Sequence, residues 1–193
     1  IIRESYLKLK VNNNHIFNKY NLKIINCLEN NLRDLFCFNI KKSNNGFYSD
    51  KCKLNNCKLC IFTNKIYYLN LNNFYLPILS YNNCMSINAI YIIKCKLCPN
   101  TYYIGETKCI KDRISQHIND IKNFIMFKKY TCVSLHFNLK NHNYKQHFSF
   151  FVFEHSLEDR EFRELKEKSL IFLFKKLNMN VLNDYIPSIN ALL

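Results

Sequence analysis

Five side chains in the second half of this 193-residue sequence are of types that can act together on one bond. Arg113 and His117 stand four positions apart, so on a helix they share one face. That face is expected to avoid the centre of the neighbouring isoleucine stripe, because both side chains are polar and need solvent or a ligand. Tyr91 and Tyr103 lie in two apolar runs whose pairing would turn both rings toward one cleft. Glu167 offers a hard oxygen donor from a long helix, suited to a Mg²⁺ ion that keeps several of its waters. Cutting a phosphodiester needs a deprotonated water, stabilised charge on the phosphate oxygens, and a proton or metal at the leaving oxygen. Tyrosine, imidazole, guanidinium and carboxylate supply those roles between them.

Ten cysteines form the second chemical feature. The N-terminal IIRESYLKLK has neither the apolar core nor the small-residue cleavage site of a secretory leader. The longest apolar candidate, Ser169 to Phe174, falls far short of the roughly 20 residues of a membrane span. The cysteines are therefore read as reduced thiols of an intracellular protein, some of them holding metal. Cys52, Cys57 and Cys60 cluster, with Cys84 downstream, and are expected to form an all-cysteine zinc site. Cys95 and Cys98 form a separate Cys-x₂-Cys knuckle. Cys27, Cys37, Cys109 and Cys132 are read as ordinary small apolar residues.

Lysine and arginine number 28 against 14 acidic residues, a net charge of +14 spread along the chain. Such a charge concentrates polyanions near the protein and speeds encounter with them, which points to nucleic acid. A merely lysine-rich solvated surface is the alternative.

The elements that must position these groups follow from periodicity. Residues 1–50 read as a partly helical connector, with weak 3.6-residue periodicity from Leu22 to Leu35 and a turn over Ser43 to Gly46. Residues 51–86 hold the first cysteine cluster and two short strands, Ile66 to Leu71 and Phe74 to Leu79. Residues 87–193 are expected to form an α+β domain. In it, Ala89 to Ile93 and Thr101 to Ile104 pair as an antiparallel hairpin with the knuckle at its tip, and Gly105 ends the second strand. A helix from Lys108 to Phe127 carries Ile110, Ile114, Ile118, Ile121 and Ile125 on one stripe. A short helix over Cys132 to Leu139 comes next. Phe148 to Phe153 reads as a central strand, and Ser156 opens a helix running to about Leu177, with Asp159 completing a capping-box-like start.

On these residues the sequence resembles the GIY-YIG nuclease family. Ala89-Ile90-Tyr91 stands where the first signature would be and Tyr103-Ile104-Gly105 where the second would be, with eleven residues between the two tyrosines. Arg113 follows ten positions after Tyr103, and Glu167 precedes Asn183, in the pair Leu182-Asn183, by sixteen. The resemblance implies that Tyr91 acts as general base, helped by Tyr103 or His117, that Arg113 holds the phosphate oxygens, and that Glu167 holds one Mg²⁺. Gly105 and Asn183 take structural or nucleic-acid-binding places. The sequence departs from the pattern at Ala89, which replaces a glycine, at Leu170, where a tryptophan is frequent, and at Val181, which replaces another glycine.

The knuckle between the signatures, the upstream cysteines and the stretch NLRDLFCF are similar to the endonuclease end of Penelope-like retroelements. That likeness implies a zinc site in which His136 and His142 join Cys95 and Cys98. It also implies a reverse transcriptase acting with or fused to the nuclease, DNA as substrate, element RNA as a second partner, no membrane partner, and a nuclear place. The expected activity is Mg²⁺-dependent nicking of target DNA. The alternatives are an inactive nucleic-acid-binding module that keeps the fold and zinc sites, and a zinc-stabilised interaction domain without a nucleic-acid role.

Overall fold

A computed structural model describes residues 46–72, 74–127 and 130–184. The periodic stretch from Leu22 to Leu35, the NLRDLFCF stretch, Cys27, Cys37 and Ser43 to Asn45 lie outside the described residues.

Two strands, β1 (Tyr68–Leu71) and β2 (Phe74–Pro77), pair antiparallel as a small ribbon. The chain then enters β3 (Ile87–Cys95) and returns as β4 (Thr101–Cys109), with Tyr91 opposite Gly105. Helix α1 (Ile110–Lys122), the single turn α2 (Phe124–Phe127), α3 (Cys132–Phe137) and the turn α4 (Tyr144–His147) lead into β5 (Phe148–Glu154). The long helix α5 (Arg160–Lys176) and the short β6 (Asn180–Val181) complete the described fold. The sheet order is β5-β3-β4-β6, antiparallel except for β4 with β6.

Strand β3 is buried on both faces because the sheet is covered twice. Ala89, Tyr91, Ile93 and Cys95 join Ile110, Ile114, Ile118 and Ile121 of α1 and Val133 and Phe137 of α3 in one cluster. On the other face Tyr102 meets Phe174 of α5 edge to face at 5.2 Å. Each buried isoleucine contributes roughly 1.5–3 kcal/mol, so the stripe alone commits α1 to this face.

Several sequence expectations need correction. Gly105 does not end β4, which runs on to Cys109 and delays the start of α1 to Ile110. Ile125 is 85% exposed and does not extend the stripe, because α1 closes at Asn123 (φ −103°, ψ 25°) before the separate turn α2 begins at Phe124. Ser156 does not open α5. It sits at φ 62°, and Asp159 caps the helix by accepting from the Glu161 amide at 2.9 Å. β5 is an edge strand in the sheet order, not a central one. Its apolar character is explained by what covers that edge. The Val152 amide donates to Ser49 Oγ at 3.0 Å, and the Phe153 carbonyl accepts from the Leu79 amide at 3.1 Å and from Asn82 Nδ2 at 3.3 Å. The cysteine-rich segment is thus fastened along an edge that would otherwise be open.

The turn after α5 is built without glycine. Asn178 takes the left-handed conformation (φ 57°), which asparagine tolerates, and Asn178 and Met179 donate their amides to Lys175 and Phe174 carbonyls. Val181 can therefore remain extended.

Candidate active site and metal clusters

The hairpin places Tyr91 and Gly105 side by side, and the missing side chain at 105 makes the space for the phenol. A Cβ there would lie 2.5 Å from both Tyr91 Cζ and its hydroxyl. The Tyr91 hydroxyl meets His117 Nε2 at 2.8 Å and accepts from Arg113 Nε at 3.2 Å. Arg113 also donates to Gln116 Oε1 at 2.9 Å, which steadies the guanidinium. Tyr103 is half-buried, its ring 5.3 Å from the His117 ring and 6.2 Å from that of Tyr91.

His117 corrects the expectation of a polar face turned to solvent. Only 3% of it is exposed, and its ring lies beside those of Tyr91 and Tyr103, with Tyr91 as hydrogen-bond partner. Burial first, then the Arg113 charge, hold its pKa down at about 3, so the imidazole is neutral. Among the described residues its Nδ1 has no hydrogen-bond partner. Burial also raises Tyr91 well above the usual phenol value, with Arg113 opposing, and Tyr103 is raised for the same first reason.

Glu167 projects from α5, half-buried. Burial, then the neighbouring charge of Glu106, push its carboxyl up to about 7, while Arg113 pulls the other way. Among the described residues no salt bridge reaches it. A desolvated carboxylate beside a second carboxylate suits a divalent cation, which relieves both the burial and the repulsion. Arg113 also lines an open cleft of about 480 Å³ with Glu106, Lys108, Asp112 and Gln116.

Asn183 lies outside this cluster. Its Oδ1 accepts from the Ile104 amide at 3.0 Å and its Nδ2 donates to the Ile104 carbonyl at 2.7 Å. The side chain copies a strand partner and locks the backbone between Tyr103 and Gly105.

Sequence reasoning missed Glu106 and Arg163. Arg163, 1% exposed, donates Nε to Glu106 Oε2 at 3.0 Å and Nη1 to the Leu157 and Glu158 carbonyls. It ties β4 to α5 one helical turn before Glu167. Glu106 adjoins the second tyrosine signature, which is a local signal, but its partner lies 57 residues away and leaves none.

Cysteines and histidines gather in two groups, Cys52, Cys57, Cys60 and Cys84, and Cys95, Cys98, His136 and His142, with ligand atoms within 4.8 Å of one another in each. In the first, Sγ separations are 3.5 Å (Cys52 to Cys60), 3.3 Å (Cys57 to Cys84) and 3.7 Å (Cys60 to Cys84). These are too long for a disulfide, and near the edge of about 3.8 Å of a tetrahedron with ~2.3 Å metal–sulfur bonds. Burial pushes the Cys84 thiol up. At Cys57 burial also opposes ionisation, but hydrogen bonds from neighbouring sulfurs, Cys84 foremost, bring it down to about 7. In the second group Cys98 Sγ is 3.2 Å from His142 Nε2. His136 Nε2 is buried without a hydrogen-bond partner among the described residues, and burial, then His142, hold this imidazole neutral with a pKa of about 4. A neutral imidazole with an orphaned lone pair beside two thiols is compatible with zinc. Cys109 and Cys132 lie outside both groups.

Residues 87–180 match the family described as GIY-YIG catalytic domain. The α+β architecture, with its antiparallel hairpin and flanking helices, fits that domain. A GIY-YIG domain implies a nuclease acting on DNA. No curated protein and no solved structure matches the chain. Among the described residues no helix is long and apolar enough to cross a membrane.

Proposed function

We propose that the chain is a divalent-metal-dependent DNA endonuclease in which Tyr91, Arg113, His117 and Glu167 form the working centre. The observation that carries this reading is the three-way contact at the Tyr91 hydroxyl. A guanidinium 3.2 Å away and an imidazole nitrogen 2.8 Å away hold one phenolic oxygen in a buried site. Tyr91 is a poor base while it keeps its proton. His117, held neutral, orients the hydroxyl through Nε2 without keeping that proton, which must pass to solvent, and Arg113 stabilises the phenolate that remains. The phenolate can then accept a proton from an attacking water. Arg113, on the wall of the open cleft, also meets the phosphate charge. Tyr103 packs against His117 and fixes the ring plane.

A Mg²⁺ ion at Glu167 would polarise the phosphate and favour water deprotonation. Gly105 clears room for Tyr91, and Asn183 keeps the strand that carries Tyr103 in place. Zinc held by Cys95, Cys98, His136 and His142 would fasten the hairpin tip to α3. A second zinc at Cys52, Cys57, Cys60 and Cys84 would close the segment that covers β5. A retroelement setting, with a reverse transcriptase and element RNA as partners and a nuclear place, follows from the sequence resemblance and accords with the +14 charge.

Supercoiled plasmid with and without Mg²⁺ tests the reading. The parent should convert it to open circle only with the metal, and Glu167→Ala and Arg113→Ala should each lose at least about a hundredfold in rate. Variants that nick as fast as the parent would remove this site. Metal-independent binding without nicking would leave the non-catalytic nucleic-acid-binding module.

A further inference from the structure

The β1–β2 ribbon buries Leu69, Leu71 and Leu76 on its inner side. Tyr68 and Tyr75 stand on its outward side, 57% and 59% exposed, their rings edge to face at 5.3 Å. Between this ribbon and the ends of β3 and β5 runs a groove of about 380 Å³. Asn64, Tyr68 and Asn70 line it from the ribbon side and Lys94, Lys96 and Ser149 from the side of the main sheet. Among the described residues no carboxylate lines it. Lys94 is half-buried and Lys96 exposed.

We infer that this groove binds an unpaired stretch of DNA, stacking a base on Tyr68 while Lys94 and Lys96 hold the flanking phosphates. The ring of Tyr68 is braced by Tyr75, so stacking a base on it orders little that is not already ordered. In duplex DNA the base faces are covered by their neighbours, whereas an unpaired strand offers them. Two ammonium groups with no carboxylate lining the groove beside them supply the electrostatic half of a single-strand site. The asparagine amides can meet base edges. DNA is taken as the occupant because the matched domain is that of a nuclease. This choice rests on the nuclease reading, since a nick frees a strand end that can peel from its complement.

The chain contains no tryptophan, so Tyr68→Trp places a single indole reporter in the groove. Without divalent metal, oligothymidylate of about 12 nucleotides, within the usual span of single-strand sites, should quench that indole saturably. A duplex of equal length should not. Adding Lys94→Gln with Lys96→Gln should weaken the complex about five- to tenfold and make the slope of log K against log salt shallower by about 1.4, two phosphates at ~0.7 each. Should the tryptophan variant misfold, anisotropy of labelled oligothymidylate with the lysine changes alone reads the same loss of affinity. Absent quenching, equal quenching by duplex or by oligouridylate, or indifference to the lysine changes would overturn the proposal. Plasmid nicking by the parent is read separately. Quenching without nicking keeps the groove and removes the nuclease, and nicking without quenching does the reverse.

Discussion

The Tyr91 cluster and the two cysteine clusters occupy one small fold, yet their polar atoms are satisfied in different ways. Around Tyr91 the protein supplies most of the network itself, with His117 Nδ1 left without a hydrogen-bond partner among the described residues. The hydroxyl has two partners, Arg113 has Gln116 as well, and Gly105 supplies the space. In the cysteine clusters, thiols crowd one another at 3.3–3.7 Å and His136 Nε2 is buried with no hydrogen-bond partner among the described residues. Thiols and imidazoles grouped within 4.8 Å suit a zinc donor set better than a hydrogen-bond network. The difference teaches that the Tyr91 hydroxyl is positioned by packing and by side chains of the chain itself, whereas the cysteine clusters gather donor atoms that a metal ion would tie together.

The largest effect should therefore come from removing metal. A strong zinc chelator is expected to cost on the order of 10 kcal/mol at a structural site. Thermal unfolding followed by circular dichroism should show a large loss of Tm, and metal analysis of the parent should find two zinc ions per chain. A Tm unmoved by chelator would erase the contrast.

Gly105→Ala attacks the other side of the comparison. Its Cβ would fall 2.5 Å from the Tyr91 ring, which is fully buried and cannot swing away. Overpacking of this kind costs about 1–3 kcal/mol, and displacing the hydroxyl by ~1 Å should lower nicking about a hundredfold. Urea unfolding and plasmid nicking on one preparation separate the two losses. Zinc content should stay at the parental level.

The buried imidazole gives a pH signature. His117 has a folded-state pKa of about 3 against 6.5 unfolded, so between those values the unfolded chain binds more protons. The stability tied to its neutral form is complete above pH 6.5 and is lost as pH falls toward 3, by at most about 1.4 kcal/mol per unit. Urea midpoints from pH 7 to 4 should fall more steeply for the parent than for His117→Gln. Parallel curves would mean the imidazole is not held neutral by its surroundings.

Asn183→Ala should have the smallest effect. It removes two hydrogen bonds to Ile104 where water can replace much of the loss, about 1–2 kcal/mol. Hydrogen exchange at the Ile104 amide should quicken, and the Tyr91 contacts should be little changed.

Much of the candidate site was legible in the sequence because its geometry is local. The interval from Arg113 to His117 is one helical turn, and Tyr91 and Tyr103 flank a short hairpin, so their convergence follows from strand and helix periods. The cysteine groups were legible from spacing at Cys52 to Cys60 and at Cys95 to Cys98. What could not be read depends on distant segments or on chain ends. Ile125 continues the isoleucine spacing, but the helix stops at Asn123. Ser156 has a capping residue's chemistry, but the chain takes a left-handed turn there and Asp159 caps instead. Phe148 to Phe153 reads as central because the segment from Ser49 to Asn82 covers its edge. Glu106 with Arg163, and the groove beside Tyr68, join residues far apart in sequence, with no pattern to announce them.

Tyr91→Phe tests the central claim most directly, because it removes one oxygen and leaves the ring in its socket beside Gly105. Single-turnover nicking of supercoiled plasmid, at saturating protein and Mg²⁺, should fall about 10²- to 10⁴-fold, with plasmid affinity and zinc content unchanged. A Tyr91→Phe protein that nicks at the parental rate would show that the hydroxyl shared by Arg113 and His117 takes no part in the chemistry, and the assignment of this cluster as the working centre would fall.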